Sequence, residues 1–177
     1  MVQAHEKTVL VVDDEPNVRD YLAQILRDAG FRVQTAADGD EAMALIRREP
    51  PDFISLDLVM PRKSGHKLLY ELRKDRALSG IPVLIVTAHA RDELGKGDLK
   101  DIVDNRVLSG PGVYLEKPVQ PLDYVRCVQR ALGIEETEED EDRIRLQGEL
   151  QRHMPQAEPH ALRRALEALK RKSPGGA

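Results

Sequence analysis

Five polar residues stand where short apolar runs of the sequence end, and their chemical types complement one another. Asp13 and Asp14 follow one such run, Asp57 lies near the end of a second, Thr87 closes a third, and Lys117 comes just after a fourth. Three carboxylates brought close together repel one another and stay ionised only with a cation among them, and oxygen ligands with open positions suit Mg²⁺. The lysine ammonium and the threonine hydroxyl could then bind oxygens of a phosphoryl group. Asp57 is left as the nucleophile that would form an aspartyl phosphate.

The run that carries Asp57 predicts a strand buried on both faces. Residues 53–60 include only two polar side chains, Ser55 and Asp57, and Pro61 closes the run. A short run rich in branched residues is typical of a parallel strand rather than of a helix. In open α/β sheets, ligands bind beyond the carboxyl ends of the strands. Asp57 is therefore predicted to be accessible to chemistry while its strand is held in the core.

Strands and helices are predicted to alternate along the chain. Helical spacing follows each strand, with Pro16 and Gly30 framing the first helix. The helix between residues 88 and 112 has the weakest pattern, because glycines interrupt a polar stretch. We predict an α/β fold, a (βα)5 doubly wound parallel sheet in the flavodoxin-like order 2-1-3-4-5. The predicted strands are 8–12, 31–36, 53–57, 82–87 and 113–115.

The chain changes character after its fifth predicted helix. Residues 135–142 are almost all acidic, and a block of like charge is typical of a solvated linker. Apolar residues recur at helical spacing within 162–169, with basic residues on either side. We predict one domain over 7–133, then an acidic linker and an amphipathic helical tail over 134–177. The tail would either dock on a partner or pack back on the domain.

Composition excludes several classes of protein. With 31 acidic and 27 basic residues the net charge is −4, which gives no general attraction to nucleic acid or to anionic lipid. The single cysteine, Cys127, cannot form an internal disulfide, and no apolar run is long enough to span a bilayer. We expect a cytoplasmic protein with neither nucleic acid nor membrane as a partner.

The motifs at the strand ends, taken in order, resemble the receiver domain of response regulators in bacterial two-component signalling, a chemotaxis-regulator-like domain. The resemblance covers about residues 7–133. Any one of the motifs is common, but the ordered set is specific. The motifs are Val11-Val12-Asp13-Asp14-Glu15-Pro16, Asp57-Leu58-Val59-Met60-Pro61 with Gly65 after it, Val86-Thr87-Ala88, and Tyr114-Leu115-Glu116-Lys117-Pro118.

The resemblance assigns roles to the residues of the predicted site. It implies that Asp57 accepts a phosphoryl group from a histidine kinase or a phosphotransfer protein. It also implies that Asp14, Asp57 and the carbonyl of Val59 bind Mg²⁺ directly, while Asp13 binds mainly through water. Lys117 would pair with the phosphoryl oxygens.

The resemblance further implies a conformational switch. Thr87 and Tyr114 match the family's switch pair, and the Lys117-Pro118 peptide bond would be cis. The segment between Thr87 and Lys117 is longer than the family pattern, which bears on the surface used for output and on whether the domain forms a homodimer. Val59 and His89 hold positions that in the family control the access of water. Since Val59 is apolar, we expect a long-lived phosphoryl state.

Several functions follow from the same residues. The leading hypothesis is a phosphorylation-dependent switch, a stand-alone regulator or a phosphorelay intermediate, that acts on a downstream protein and is not an enzyme beyond self-phosphorylation and slow autodephosphorylation. A docking module without phosphorylation is one alternative. An aspartyl-phosphate hydrolase is another, but it would need an acid or base where Val59 stands. A transcription factor is a third and weaker one. His66, His89, His153 and His160 are expected to be surface residues, with no phosphotransfer role for His153.

Overall fold

The five predicted strands form a single parallel sheet. The computed structural model describes residues 3–60, 64–88 and 114–134, together with residues 142 and 146. The observed order is β2-β1-β3-β4-β5, so the predicted order 2-1-3-4-5 is confirmed. The strands are β1 (Thr8–Val12), β2 (Arg32–Ala36), β3 (Phe53–Leu56), β4 (Val83–Thr87) and β5 (Tyr114–Glu116).

Helices connect these strands, and their ends carry ordinary capping signals. The side chain of Asp38 accepts hydrogen bonds from the backbone N–H groups of Asp40 and Glu41 at the start of α2. The last helix begins with a proline and ends at Gly133, whose φ of 66° suits a residue without a side chain. The helices are α1 (Pro16–Asp28), α2 (Gly39–Arg48), α3 (Gly65–Lys74) and α4 (Pro121–Leu132), after a short 3₁₀ turn at Ala4–Glu6.

The sheet is covered on both faces, as the apolar runs predict. Successive side chains of a strand point to opposite faces, so β1, β2, β3 and β4 each contribute to two cores. One core joins the sheet to α2 and α3 through residues such as Leu10 and Ile54. The other joins it to α1 and α4, and we call this side of the sheet the α1–α4 face. Its strand residues are Val9, Val11, Val33, Phe53, Leu84, Val86 and Leu115.

Some predictions fall outside the described residues. These are the helical turns between 88 and 112, most of the 134–177 tail, and His89, His153 and His160. Residues 142 and 146 are helical. The division into a domain over 7–133 and a tail stays a prediction. Over the part of the chain that the structure describes, no helix combines the length and the apolar character needed to cross a membrane.

Candidate functional site

The parallel register brings the three predicted metal-binding carboxylates together. β1 and β3 are neighbours, and Val12 pairs with Leu56, so the chain leaves both strands side by side. The backbone N–H of Asp57 donates to the carbonyl of Val12 over 2.9 Å. As a result, oxygens of Asp13, Asp14 and Asp57 all lie within 4.8 Å of one another.

Lys117 reaches this cluster from the end of β5, the edge strand of the sheet. Its backbone N–H donates to the carbonyl of Thr87 over 3.1 Å, which places it directly after β5 and beside β4. Its Nζ lies 2.8 Å from Oδ2 of Asp13 and 2.8 Å from Oδ2 of Asp57. A more exposed carboxylate, that of Glu15, has its Oε1 3.6 Å from the same Nζ. The Lys117-Pro118 peptide bond is cis, as expected from the resemblance.

Burial sets the electrostatics of the cluster. Asp13 is 1% exposed and Asp57 is 4% exposed. Burial raises the pKa of Asp13 above its ordinary value, because the hydrogen bonds from Lys117 and from the backbone of Glu15 only partly offset it. Burial would also lower the pKa of Lys117, but the hydrogen bonds to Asp13 and Asp57 raise that pKa above its ordinary value. The ammonium therefore stays charged.

The donor set fits a Mg²⁺ ion. Three carboxylates face one ammonium, which leaves negative charge that a divalent cation would neutralise. The ligands are all oxygen atoms, which is the preference of Mg²⁺, and Asp14 is partly open to solvent, so bound water has a place. Asp13, Asp14 and Asp57 are the side chains that would hold the ion.

The carboxylate of Asp57 is oriented by the backbone of Val59 and by Lys117, and the start of α3 packs against its backbone. Its Oδ1 accepts a hydrogen bond of 3.0 Å from the backbone N–H of Val59, while its Oδ2 faces Lys117. The N–H of Gly65 donates to the carbonyl of Leu58 over 3.2 Å. The start of α3 packs so closely here that a Cβ at Gly65 would overlap the carbonyl oxygen of Asp57 and the Cα of Leu58.

The predicted switch residues lie on the neighbouring strands β4 and β5. Thr87 ends β4 and is fully buried, and its hydroxyl has no hydrogen-bond partner among the residues that the structure describes. Tyr114 begins β5 opposite Ile85 and is 41% exposed. Beside the site, the side chain of Val59 is 53% exposed. The structure thus places a buried hydroxyl and an exposed ring on adjacent strands, two residues apart in register, and their roles as a switch stay a prediction.

The sequence of residues 9–124 matches the family model of the response regulator receiver domain. The chain belongs to this family. The resemblance deduced from the motifs is thereby confirmed, and so is the function class: a receiver domain is a phosphorylation-dependent signalling switch rather than a conventional enzyme. Receiver domains bind Mg²⁺ at an acidic pocket, and this chain has an acidic cluster of Asp13, Asp14 and Asp57.

Relatives of known structure share this receiver fold. The chemotaxis response regulator CheY4 of Vibrio cholerae is 32% identical with a TM-score of 0.60, and the match covers 71% of this chain and 98% of that one. The receiver domain of the sensor histidine kinase PA1611 from Pseudomonas aeruginosa is 27% identical with a TM-score of 0.60, over 72% of this chain and 98% of that one. That domain has a magnesium ion coordinated in its active site cleft.

A curated relative from Mycobacterium tuberculosis is described as the probable transcriptional regulatory protein TcrX. It is 36% identical over 133 residues, which is 72% of this chain and 51% of TcrX. The chain spans about half the length of most of the curated regulators that it matches. The common part is the receiver domain, so the likeness concerns the switch and not the output of those regulators.

Two features of this receiver site were not predicted from the sequence. One is the contact of Glu15 with Lys117, for which the signal was the third carboxylate after β1. The other is the reason that a glycine stands at position 65, which the motif includes but does not explain. The close approach of α3 to the backbone of Leu58 supplies that cause.

Proposed function

We propose that Asp57 of this receiver domain is the phosphoacceptor, with a histidine kinase or a phosphotransfer protein as the donor. The observation that carries the proposal is the position of the Lys117 Nζ, 2.8 Å from an oxygen of Asp57 and 2.8 Å from an oxygen of Asp13. A lysine so placed can neutralise the charge of a phosphoryl group on Asp57. Asp57 lies at the carboxyl end of β3, where open α/β sheets bind their ligands, although only 4% of the residue is exposed, less than the sequence predicted.

The transfer needs only a substitution at phosphorus. A carboxylate oxygen of Asp57 attacks the phosphorus atom of a phosphohistidine, a phosphorus–oxygen bond forms, and the phosphorus–nitrogen bond breaks. The electron pair of that bond returns to the imidazole, which takes up a proton as it leaves. A bound Mg²⁺ would supply positive charge that stabilises the transferring phosphoryl oxygens. Catalysis here is positioning and charge neutralisation, to which Lys117 and the buried Thr87 hydroxyl contribute.

The metal ligands are proposed on the same basis. Asp14 and Asp57, together with the backbone carbonyl of Val59, would hold Mg²⁺, and Asp13 would do so through water. The clustering of the three carboxylates within 4.8 Å supports this assignment.

The proposed switch uses Thr87 and Tyr114. The buried Thr87 hydroxyl has no hydrogen-bond partner within the described part of the chain, which carries a free-energy cost that a phosphoryl oxygen on Asp57 would relieve. Tyr114 is exposed in this structure and would turn inward behind Thr87 once that hydroxyl moves. Phosphorylation would thereby change the surface around β5, where a downstream protein or a second copy of this chain would bind.

The lifetime of the phosphoryl group is set by how water reaches it. The Val59 side chain is 53% exposed beside Asp57 and has no acid or base to activate a water molecule. A slow loss of the phosphoryl group follows, which argues against a hydrolase. A stand-alone regulator and a relay intermediate both fit such a lifetime, and both would work in the cytoplasm.

Mass spectrometry after incubation with acetyl phosphate tests the proposal. The protein should gain one phosphoryl adduct that requires Mg²⁺ and disappears in Asp57→Asn. Asp52→Asn is the matched control, because it makes the same chemical change at the opposite end of the sheet and should leave the adduct intact. An adduct that survives Asp57→Asn would place the phosphoryl group elsewhere. No adduct and no Mg²⁺ binding in the wild type would indicate a docking module without phosphorylation.

A further inference from the structure

Helix α1 begins without a hydrogen bond from a capping side chain, and an arginine one turn further on binds the strand that precedes it. Glu15 holds the N-cap position, and its side chain makes no capping hydrogen bond. The partly buried Arg19 reaches back from the helix, and its Nη1 donates to the backbone carbonyl of Asp13 over 2.8 Å. Its backbone N–H donates to the carbonyl of Glu15 over 2.9 Å. Arg19 therefore holds the junction between β1 and α1.

The carbonyl that Arg19 binds belongs to the peptide between Asp13 and Asp14. Asp13 comes directly after β1, and no backbone N–H among the described residues donates to its carbonyl. Asp13 is buried, and a buried carbonyl without a partner costs free energy. The Arg19 guanidinium supplies the partner. It thereby fixes the plane of the peptide that joins two of the predicted metal ligands.

The two carboxylates on this peptide are held differently. Asp13 Oδ1 accepts a hydrogen bond of 3.0 Å from the backbone N–H of Glu15, and its Oδ2 lies 2.8 Å from Lys117 Nζ. The Asp14 carboxylate has no hydrogen bond or ion pair with any residue that the structure describes, although it lies within 4.8 Å of the Asp13 and Asp57 oxygens. Its position therefore depends on the backbone that carries it, and so on the peptide that Arg19 fixes.

The contact of Arg19 supplies geometry rather than charge neutralisation. Within the described part of the chain, Arg19 forms no ion pair with a carboxylate, and its guanidinium binds a neutral carbonyl. A positive charge beside the cluster repels an incoming cation and so opposes metal binding. If Arg19 favours metal binding, it must do so through the position of the peptide.

We propose that Arg19 is a positioning residue that makes the carboxylate cluster selective for Mg²⁺ over Ca²⁺. The inference rests on the proposed Mg²⁺ site. Mg²⁺ demands near-ideal octahedral geometry at short ligand distances, whereas the larger Ca²⁺ ion accepts flexible arrangements of oxygens. A fixed Asp13–Asp14 peptide meets the stricter demand. A loosened peptide would still meet the demand of Ca²⁺.

Arg19→Met should weaken the binding of Mg²⁺ and spare that of Ca²⁺. The variant keeps an apolar stem but loses the donors, so the carbonyl of Asp13 is released. We expect the Mg²⁺ affinity to fall roughly fivefold and the Ca²⁺ affinity to change by less than about twofold. Arg19→Lys retains a cationic donor on a flexible stem, so its ratio of the two affinities should lie between those of Arg19→Met and the wild type.

The experiment uses the full chain, with Mg²⁺ alone or Ca²⁺ alone as the probe. Each ion is titrated into the metal-free protein and binding is followed by the amide NMR signals. Arg27→Met is the matched control, because Arg27 lies exposed in the last turn of the same helix and its loss should leave both affinities unchanged. Unfolding in EDTA shows whether each variant is folded before metal is added. If Arg19→Met does not fold, Arg19→Lys carries the comparison.

The outcomes are distinguishable. Support requires a loss of Mg²⁺ affinity in Arg19→Met without a matching loss of Ca²⁺ affinity. Equal losses for both ions would make Arg19 a general support of the fold, and a gain for both ions would show that its charge dominates. Either result would overturn the inference, as would two unchanged affinities, while the metal site would stand. Absence of Mg²⁺ binding in the wild type would overturn the metal site, and this inference with it.

Discussion

Aspartate–lysine contacts occur at both ends of the central strands, and they serve opposite purposes. At the amino end, Lys7 Nζ lies 2.9 Å from Asp52 Oδ1, and the N–H of Thr8 donates to Asp52 Oδ2 over 2.8 Å. At the carboxyl end, one lysine serves two buried carboxylates at the same short distance. The first contact fastens the start of β1 to the residue before β3. The second contact brings several carboxylates around a single lysine.

The two ends differ in their effect on carboxylate pKa values. Burial favours the neutral form in both, but at Asp52 the hydrogen bonds from Thr8 and Lys7 prevail and lower the pKa. At Asp13 burial prevails, and the charge of Asp57 adds to it, so the pKa is raised. The same residue types therefore stabilise the fold at one end and at the other maintain a cluster that gains from a cation.

The largest difference in the free energy of unfolding should separate a glycine at the site, Gly65, from one outside it, Gly80. Gly65→Ala places a methyl group into the backbone of Asp57 and Leu58, whereas Gly80 has no atom within 4 Å of an added Cβ. We expect Gly65→Ala to lower the free energy of unfolding by about 3 kcal/mol, since backbone cannot give way as a side chain can. Gly80→Ala should change it by less than about 1 kcal/mol. Urea unfolding of both variants measures this, and equal losses would contradict the close packing at α3.

The lysines offer the next comparison. Lys117→Met leaves two buried carboxylates without their cation, so in EDTA we expect a loss of about 2 kcal/mol in the free energy of unfolding. Lys7→Met should cost at most about 0.5 kcal/mol, because the Lys7–Asp52 pair is partly exposed and screened by solvent.

The same two variants should also differ in Mg²⁺ affinity and in phosphorylation. Lys117→Met removes the competing cation, so its Mg²⁺ affinity should rise while its phosphorylation by acetyl phosphate is lost. Lys7→Met should retain both properties of the wild type. Calorimetric titration and mass spectrometry measure them. A Lys117→Met protein that is phosphorylated at the wild-type rate would be evidence against the role proposed for this lysine.

The sequence predicted the large-scale arrangement because that arrangement depends on chain order. Alternating strands and helices imply a parallel sheet, and a parallel sheet brings Asp13, Asp57 and Lys117 to one edge whatever the details of packing. The ends of elements were predicted less well. Strand β2 begins at Arg32 rather than one residue earlier, and β5 continues to Glu116, one residue beyond its predicted end.

Contacts that depend on how separate elements pack against one another could not be predicted from the sequence. The approach of α3 to Leu58 and the contact of Glu15 with Lys117 are examples. No periodicity encodes either contact, because each depends on how a helix is rotated and seated on the sheet. The roles assigned to Thr87, Tyr114 and Val59 rest on the resemblance and stay predictions.

Asp13→Asn should stabilise the metal-free protein at neutral pH. The raised pKa means that folding disfavours the ionised carboxylate, so the amide relieves a cost that we put at about 1 kcal/mol. As the pH falls below that raised pKa, folded wild-type Asp13 takes up a proton, and the advantage of the variant shrinks until it is gone below the unfolded value near 3.8. Unfolding in EDTA across the acid range measures this. A variant that is less stable at neutral pH would show that the Lys117 contact outweighs burial.

Asp52→Asn should have the smallest effect, with the opposite sign. The lowered pKa means that the folded state favours the ionised carboxylate, so stability from Asp52 is present above the unfolded value near 3.8 and is lost as the pH falls through the lower folded pKa. The amide can still accept from Thr8, so at neutral pH we expect a loss of about 0.5 kcal/mol, discounted because Asp52 is one-third exposed. The difference from wild type should close only at the acid extreme, below the pH at which Asp13→Asn converges. If the two variants converged at the same pH and with the same sign, the contrast between the two ends of the sheet would be wrong.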